Sequence, residues 1–273
     1  TFSPALQPGQ TITGEIELLR QSVGIRETNF DSTVVENGTF INNGELLPQF
    51  GYQRGYELQE RHERAKRDLA PVQRAHKLED SRYYTESGFG RGEDFIQFES
   101  TVSTSADQIA IAPGYLQKEW QEGDRRYFHY QMDKPIFNFY SFLSARLEVK
   151  KEVYQGIALE VYYHHAHHWN VDRMMESVRD SLDYFNAEFG PYQHKQMRII
   201  EFPGYRSFAQ SFANTVPYSE RIGFITDLRN PDNIDPVYYV TAHEVAHQWW
   251  GHQVSAADVQ GSAVISESLS QYS

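Results

Sequence analysis

Alternation of apolar and polar residues marks much of the first 160 positions. Thr11–Leu19 places Ile12, Ile16 and Leu18 on one face, as a half-buried strand would. Phe95–Val102, Gln108–Ala112, Arg126–Met132, Leu147–Val149 and Ile157–Tyr163 read the same way. Turn residues separate several of them, at Pro113-Gly114, Glu122-Gly123-Asp124 and Gln155-Gly156. This pattern predicts an antiparallel sheet. One segment breaks it: Glu57–Asp68 is dense in Glu, Arg and Lys, with i,i+4 pairs at Glu60–Arg64 and Glu63–Arg67, and predicts a short solvated helix.

Beyond residue 168 the period changes to that of a helix. Val171, Met174, Met175, Val178, Leu182, Phe185 and Phe189 recur at helical spacing after Asn170, a good N-cap, and Gly190-Pro191 ends the run. Met197–Phe202 reads as a buried strand and Phe224-Ile225 as a short one. Asp235-Pro236 opens a second helix, Asp as N-cap and Pro at the first helical position, predicted to run to about Gly251. A third helix is expected from about Ser262. The fold class that follows is α+β, with an antiparallel β domain over 1–160 and a helix-containing domain over 161–273.

Composition narrows the chemistry. The 273 residues carry a formal net charge of -12, which argues against nucleic acid or an anionic membrane surface as the main partner. A mean hydropathy of -0.63 and the lack of a long apolar run read as a soluble domain. There is no cysteine, so any metal must be held by His, Asp or Glu.

Those residues gather at His243-Glu244-Val245-Ala246-His247, which fits H-E-x-x-H. Residues four apart lie on one face of a helix, so both imidazoles can reach one ion. Glu244 projects beside that ion without binding it, placed to act as general base. Glu267, in Ile265-Ser266-Glu267-Ser268-Leu269, supplies a third ligand. Three protein ligands leave a position for water, the arrangement of a catalytic Zn²⁺.

His243–Gly251, followed by Ser266-Glu267 and Tyr272, resembles the aminopeptidase N family of gluzincin zinc peptidases. Ile265–Tyr272 is similar to that family's L-N-E-G-F-x-x-Y helix, with Ser266 in place of the usual Asn. One residue more than usual separates His247 from Glu267, and an insertion is expected within Ser255–Ala263. The resemblance implies a saddle-like antiparallel β N-terminal domain followed by the first part of a thermolysin-like α/β catalytic domain. It implies removal of N-terminal residues from a peptide substrate. Pro217–Ile225 resembles the family's G-A-M-E-N-W-G-L-I edge strand, which implies that Glu220 binds the substrate's amino group.

The wording around Val259-Gln260-Gly261 and Leu269–Tyr272 looks most like bacterial members fused to ABC-transporter permease segments. The parent protein is then expected at an inner membrane. The chain reads as cut at both ends, opening at Thr1-Phe2-Ser3-Pro4 and stopping inside a helix, with the family's oxyanion-stabilising Tyr expected downstream of it. A zinc endopeptidase with the same site, or a peptide-binding module without activity, stands as the alternative.

Other residues carry weaker signals. His164-His165-Ala166-His167-His168 has the composition of a metal tract, yet its place between a strand and a helix cap reads as an exposed linker. His252 falls off the ligand face. Tyr238, Tyr239 and Tyr272 read as core or cleft-wall residues.

Overall fold

The computed structural model describes residues 5–22, 32–48, 56–72, 75–88 and 94–273. The opening Thr1–Pro4 lies outside them. The chain is α+β, and four sheets carry the strands of the described residues.

β1 (Thr39–Asn42) runs into a one-turn helix, α1 (Asn43–Leu46). α2 (Arg61–Ala65) is the helix expected in the charged segment. Glu63 and Arg67 pair as their spacing requires, at 2.6 Å. Arg64 does not pair with Glu60. It is buried, bridges to Glu57 at 3.1 Å and donates to the carbonyls of Leu58 and Ala70. The guanidinium thus fastens the flanking chain instead of facing water.

Seven antiparallel strands follow: β2 (Phe95–Ile96), β3 (Glu99–Ser105), β4 (Ile109–Ile111), β5 (Tyr115–Glu122), β6 (Arg125–Gln131), β7 (Ile136–Phe137) and β8 (Ser141–Ala145). They form sheets in the orders β1-β8-β4, β2-β7 and β3-β6-β5. At the β4–β5 turn Gly114 has φ +101° and sits against the Gln131 carbonyl, where an added Cβ would come within 2.6 Å of backbone. Only glycine suits that turn. Thr11–Leu19 is not a strand. Ile12, Ile16 and Leu18 are exposed and no described strand pairs with the segment, so its alternation has no sheet to act in.

The last sheet is mixed. β9 (Glu148–Tyr154) is antiparallel to β10 (Ile157–Tyr163), which is parallel to β11 (Gln196–Phe202), itself parallel to β12 (Thr215–Ser219). All seven residues of β11 are buried, as expected for a parallel strand covered on both faces. The boundary expected at 160 falls inside β10, and β9 and β10 belong with β11 and β12. Periodicity identifies a strand but not its partner, and here the paired residues, such as Val161 and Ile199, are far apart in sequence. A shared core joins the two parts: Phe40 of β1 stacks on Phe202 of β11 with ring centroids 4.7 Å apart. Arg198 of β11, fully buried, donates to Thr215 Oγ1 and to the Ala112 carbonyl, tying the mixed sheet to the β4–β5 turn.

α3 (Val171–Phe189) has the predicted bounds and buries Met174, Val178, Leu182 and Phe185 against the mixed sheet. Burying such side chains contributes roughly 1.5–3 kcal/mol each. Asn170 does not cap α3 with its side chain. Its amide donates instead to the carbonyls of Gly223 (2.7 Å) and Thr226 (2.9 Å), satisfying a loop that has no strand partner of its own. That loop includes Phe224-Ile225, which is a turn and not a strand. Gly223 lies against the Tyr218 ring so closely that a Cβ would sit 1.7 Å from Cε1. Among the described residues no helix is long and apolar enough to cross a membrane.

Candidate metal centre

The centre is built on α4 (Pro236–Ala246). Asp235 caps it, accepting from the Tyr238 amide at 2.9 Å, and Pro236 holds the first helical position where no amide donor is needed. The helix packs on α3, where Ser177 Oγ donates to the Tyr238 carbonyl and Arg173 pairs with Asp235 at 2.6 Å. It does not reach Gly251. Ala246 is its last residue and His247 its C-cap, after which Gln248 and Trp249 make tighter i→i−3 bonds. The side chains explain the early end. Trp249 turns into the core and donates to the Gly190 carbonyl, while Gln248 is fully buried in a cross-link described below.

Glu267 lies in a π-helical turn, Val264–Ser268, that leads into α5 (Leu269–Tyr272). A π turn holds one residue more than an α turn and is a frequent feature of functional sites.

Three ligand atoms converge. His243 Nε2 and His247 Nε2 are 3.1 Å apart, and Glu267 Oε2 is 3.6 Å and 3.7 Å from them. A point equidistant from atoms so spaced lies about 2.0 Å from each, the bond length of zinc to imidazole and carboxylate. The His247 tautomer suits a cation as well. His247 Nδ1 faces the Trp250 carbonyl at 3.1 Å, which can only accept, so the proton belongs on Nδ1 and the Nε2 lone pair faces the ligands. Ser270 Oγ supports the same Nδ1 at 3.0 Å. Burial, then the neighbouring His247, lowers the His243 pKa and keeps that ring neutral. The donor set fits zinc.

Glu244 is buried beside them. Burial first, and then the Glu267 charge, push its carboxyl up to about 8. A divalent charge bound beside it would oppose that shift and favour the carboxylate.

Two polar residues that the sequence did not single out, Gln210 and Ser211, line the cavity over His247 and Glu267 together with Phe137 and Phe139. Ser211 Oγ donates to the Glu244 carbonyl at 2.8 Å. Gln248 Nε2 donates to Ser211 Oγ (2.7 Å) and to the Phe212 carbonyl (2.8 Å), and its Oε1 accepts from the Asn214 amide (3.0 Å). This amide pins the 211–214 segment to the metal helix. Only the Gln following the second His hints at it in sequence. His252 lines the same cavity but spends Nε2 on the Ser211 carbonyl at 3.2 Å, and burial holds its pKa down at about 4. Tyr239 and Tyr272 line a groove on the other side of His243, as wall residues.

Glu220 is elsewhere. β12 ends at Ser219, and Glu220 follows it into a separate cavity shared with His164, His167 and Glu201. The two cavities have no residue in common. The structure brings together His243, Glu244, His247 and Glu267, while Glu220 lines a different cavity.

No protein-family model matches the chain, and a search of curated proteins finds no match.

Proposed function

We propose that the chain carries the zinc centre of a metallopeptidase, with His243, His247 and Glu267 as ligands and Glu244 as general base. The single observation behind this is the equidistant point about 2.0 Å from three lone-pair donors, with a buried carboxyl beside it. Zinc held there supplies Lewis acidity toward a peptide carbonyl and makes a nearby water more acidic. Glu244 takes the proton of the attacking water and returns it to the leaving amine. Its buried setting favours the neutral carboxyl that the second transfer needs. Ser270 and the Trp250 carbonyl hold His247 in one tautomer, and Gln248 keeps the Ser211 wall in register with the helix.

The likeness to the aminopeptidase N family makes removal of N-terminal residues the leading activity. On that reading the antiparallel strands form the saddle-like domain and the mixed sheet with α3–α5 the first part of a thermolysin-like domain. Attachment to permease segments of a bacterial inner-membrane parent belongs to the same likeness. One observation favours the second reading, an endopeptidase: Glu220 lines a different cavity. A single peptide offered free and N-acetylated, with zinc present and products read by mass spectrometry, separates the two. Single residues lost from the free form alone mean an aminopeptidase. Internal cuts in both forms mean an endopeptidase. Cleavage undiminished in Glu244→Gln would refute the peptidase assignment itself.

A further inference from the structure

The ends of three parallel strands converge on a second group of metal-type donors. His167 lies in the loop that leaves β10, Glu201 is the penultimate residue of β11, and Glu220 follows the last residue of β12. In parallel sheets the carboxyl edge is where ligands are commonly held, because successive loops open there side by side. Glu201 is the fixed member. Its side chain is 4% exposed, its Oε2 accepts from the His164 amide at 2.6 Å, and its Oε1 meets His167 Nδ1. Glu220 is aimed by the Gly204 amide, which donates to Oε1 at 2.7 Å and leaves Oε2 3.9 Å from His167 Nδ1. A donor atom from each residue lies within 4.8 Å of the other two. They face a cavity of about 640 Å³, its open mouth included.

Charge gives a separate reason to expect a cation. Two carboxylates share one imidazole, and among the described residues neither forms an ion pair with Lys or Arg. Arg146, which lines the cavity, is committed to Asp107 and Glu36. A buried carboxylate beside a second one is costly unless a positive charge compensates it.

We propose that His167, Glu201 and Glu220 form a second site for a divalent first-row transition ion, distinct from the His243 centre. One imidazole and two carboxylates suit zinc or manganese and leave positions for water. Occupied, the site clips the β10–α3 loop to the edges of β11 and β12. The proposal does not depend on the peptidase assignment, since it concerns other ligands.

The test counts zinc per chain by atomic emission after gel filtration, on the whole chain and four variants. His167→Ala/Glu220→Gln, both partly exposed, is expected to lose one equivalent relative to the parent chain. His243→Ala/His247→Ala should lose a different one, and the two changes combined should lose both. The exposed pair His165→Ala/His168→Ala should lose none. Circular dichroism of the chelated variants checks that each is folded. Three results would overturn the site: no equivalent lost in His167→Ala/Glu220→Gln, none bound by folded His243→Ala/His247→Ala, or an equivalent lost in His165→Ala/His168→Ala. The last would mean that the histidine tract binds zinc on its own.

Discussion

His243, His247 and Glu267 come from one helix end and one turn twenty residues later, whereas His167, Glu201 and Glu220 come from the ends of three parallel strands. The first group pairs two shielded imidazoles with a carboxylate whose side chain is 65% exposed. The second reverses this, with a carboxylate only 4% exposed at its heart. An open, imidazole-rich corner leaves room for substrate at the ion. A carboxylate-rich one anchored on a buried Glu is suited to holding chain segments together. On the proposed reading, turnover belongs to the first cluster and a structural clip to the second.

The largest effect expected from that division is on activity. Glu244→Gln should lower kcat by roughly 10²–10⁴, the usual worth of a positioned proton-transfer group. Zinc content measured alongside should stay unchanged, because Glu244 is not a ligand. His167→Ala should leave kcat near that of the parent chain. A fall in kcat with His167→Ala and none with Glu244→Gln would exchange the roles of the two clusters.

The next effect is on the stability of the chelated protein. Glu244 holds its proton up to about pH 8 when folded and only to the ordinary 4.5 when unfolded. Below pH 4.5 both states are protonated and the group contributes nothing. Above it the unfolded chain ionises first, so folding is penalised increasingly until about pH 8 and constantly beyond. Glu244→Gln removes that penalty. Urea midpoints should therefore favour the Gln variant at pH 8, by up to a few kcal/mol, and leave the two alike at pH 4. A parent chain as stable at pH 8 as its Gln variant would mean that Glu244 is solvated.

Ser270→Ala is smaller. It removes one of the two groups that hold the His247 Nδ1 proton, so zinc affinity at the first centre should fall by about 10–100-fold in a chelator competition. Because the second cluster has no contact with Ser270, its equivalent should bind as before.

These two clusters also mark how far the sequence could be read. A fixed i,i+4 spacing inside a capped helix needs no tertiary information, and neither does the 3.6 period that gave α3 its bounds. The third ligand needed a resemblance, because nothing local says which Glu returns to the helix. His167, Glu201 and Glu220 are 34 and 19 residues apart and meet only because β10, β11 and β12 are neighbours. Strand pairing is a property of the whole fold, so the histidine tract reads as a linker on its own. The same limit explains β5, whose residues are mostly solvated on both faces and show no alternation, and Thr11–Leu19, which alternates without a partner.

Glu220 is where resemblance and geometry part, and its substitution gives the smallest expected effect. The segment similar to the family's edge strand was expected to bring this carboxylate to the substrate's amino group. In the structure β12 is the edge strand of its sheet, as that likeness implies, but Glu220 lies just past its end, and Gln210 and Ser211 line the cavity over His247 and Glu267. Glu220 Oε1 is held by Gly204, and Oε2 faces His167. Glu220→Gln should therefore change kcat/KM on a free-amino peptide by less than about twofold, under 0.5 kcal/mol of transition-state binding. The same peptide N-acetylated should show the same ratio between parent and variant. A large loss confined to the free-amino form would return Glu220 to the substrate. With the ratio unchanged, any preference for free amino termini must arise from groups other than Glu220.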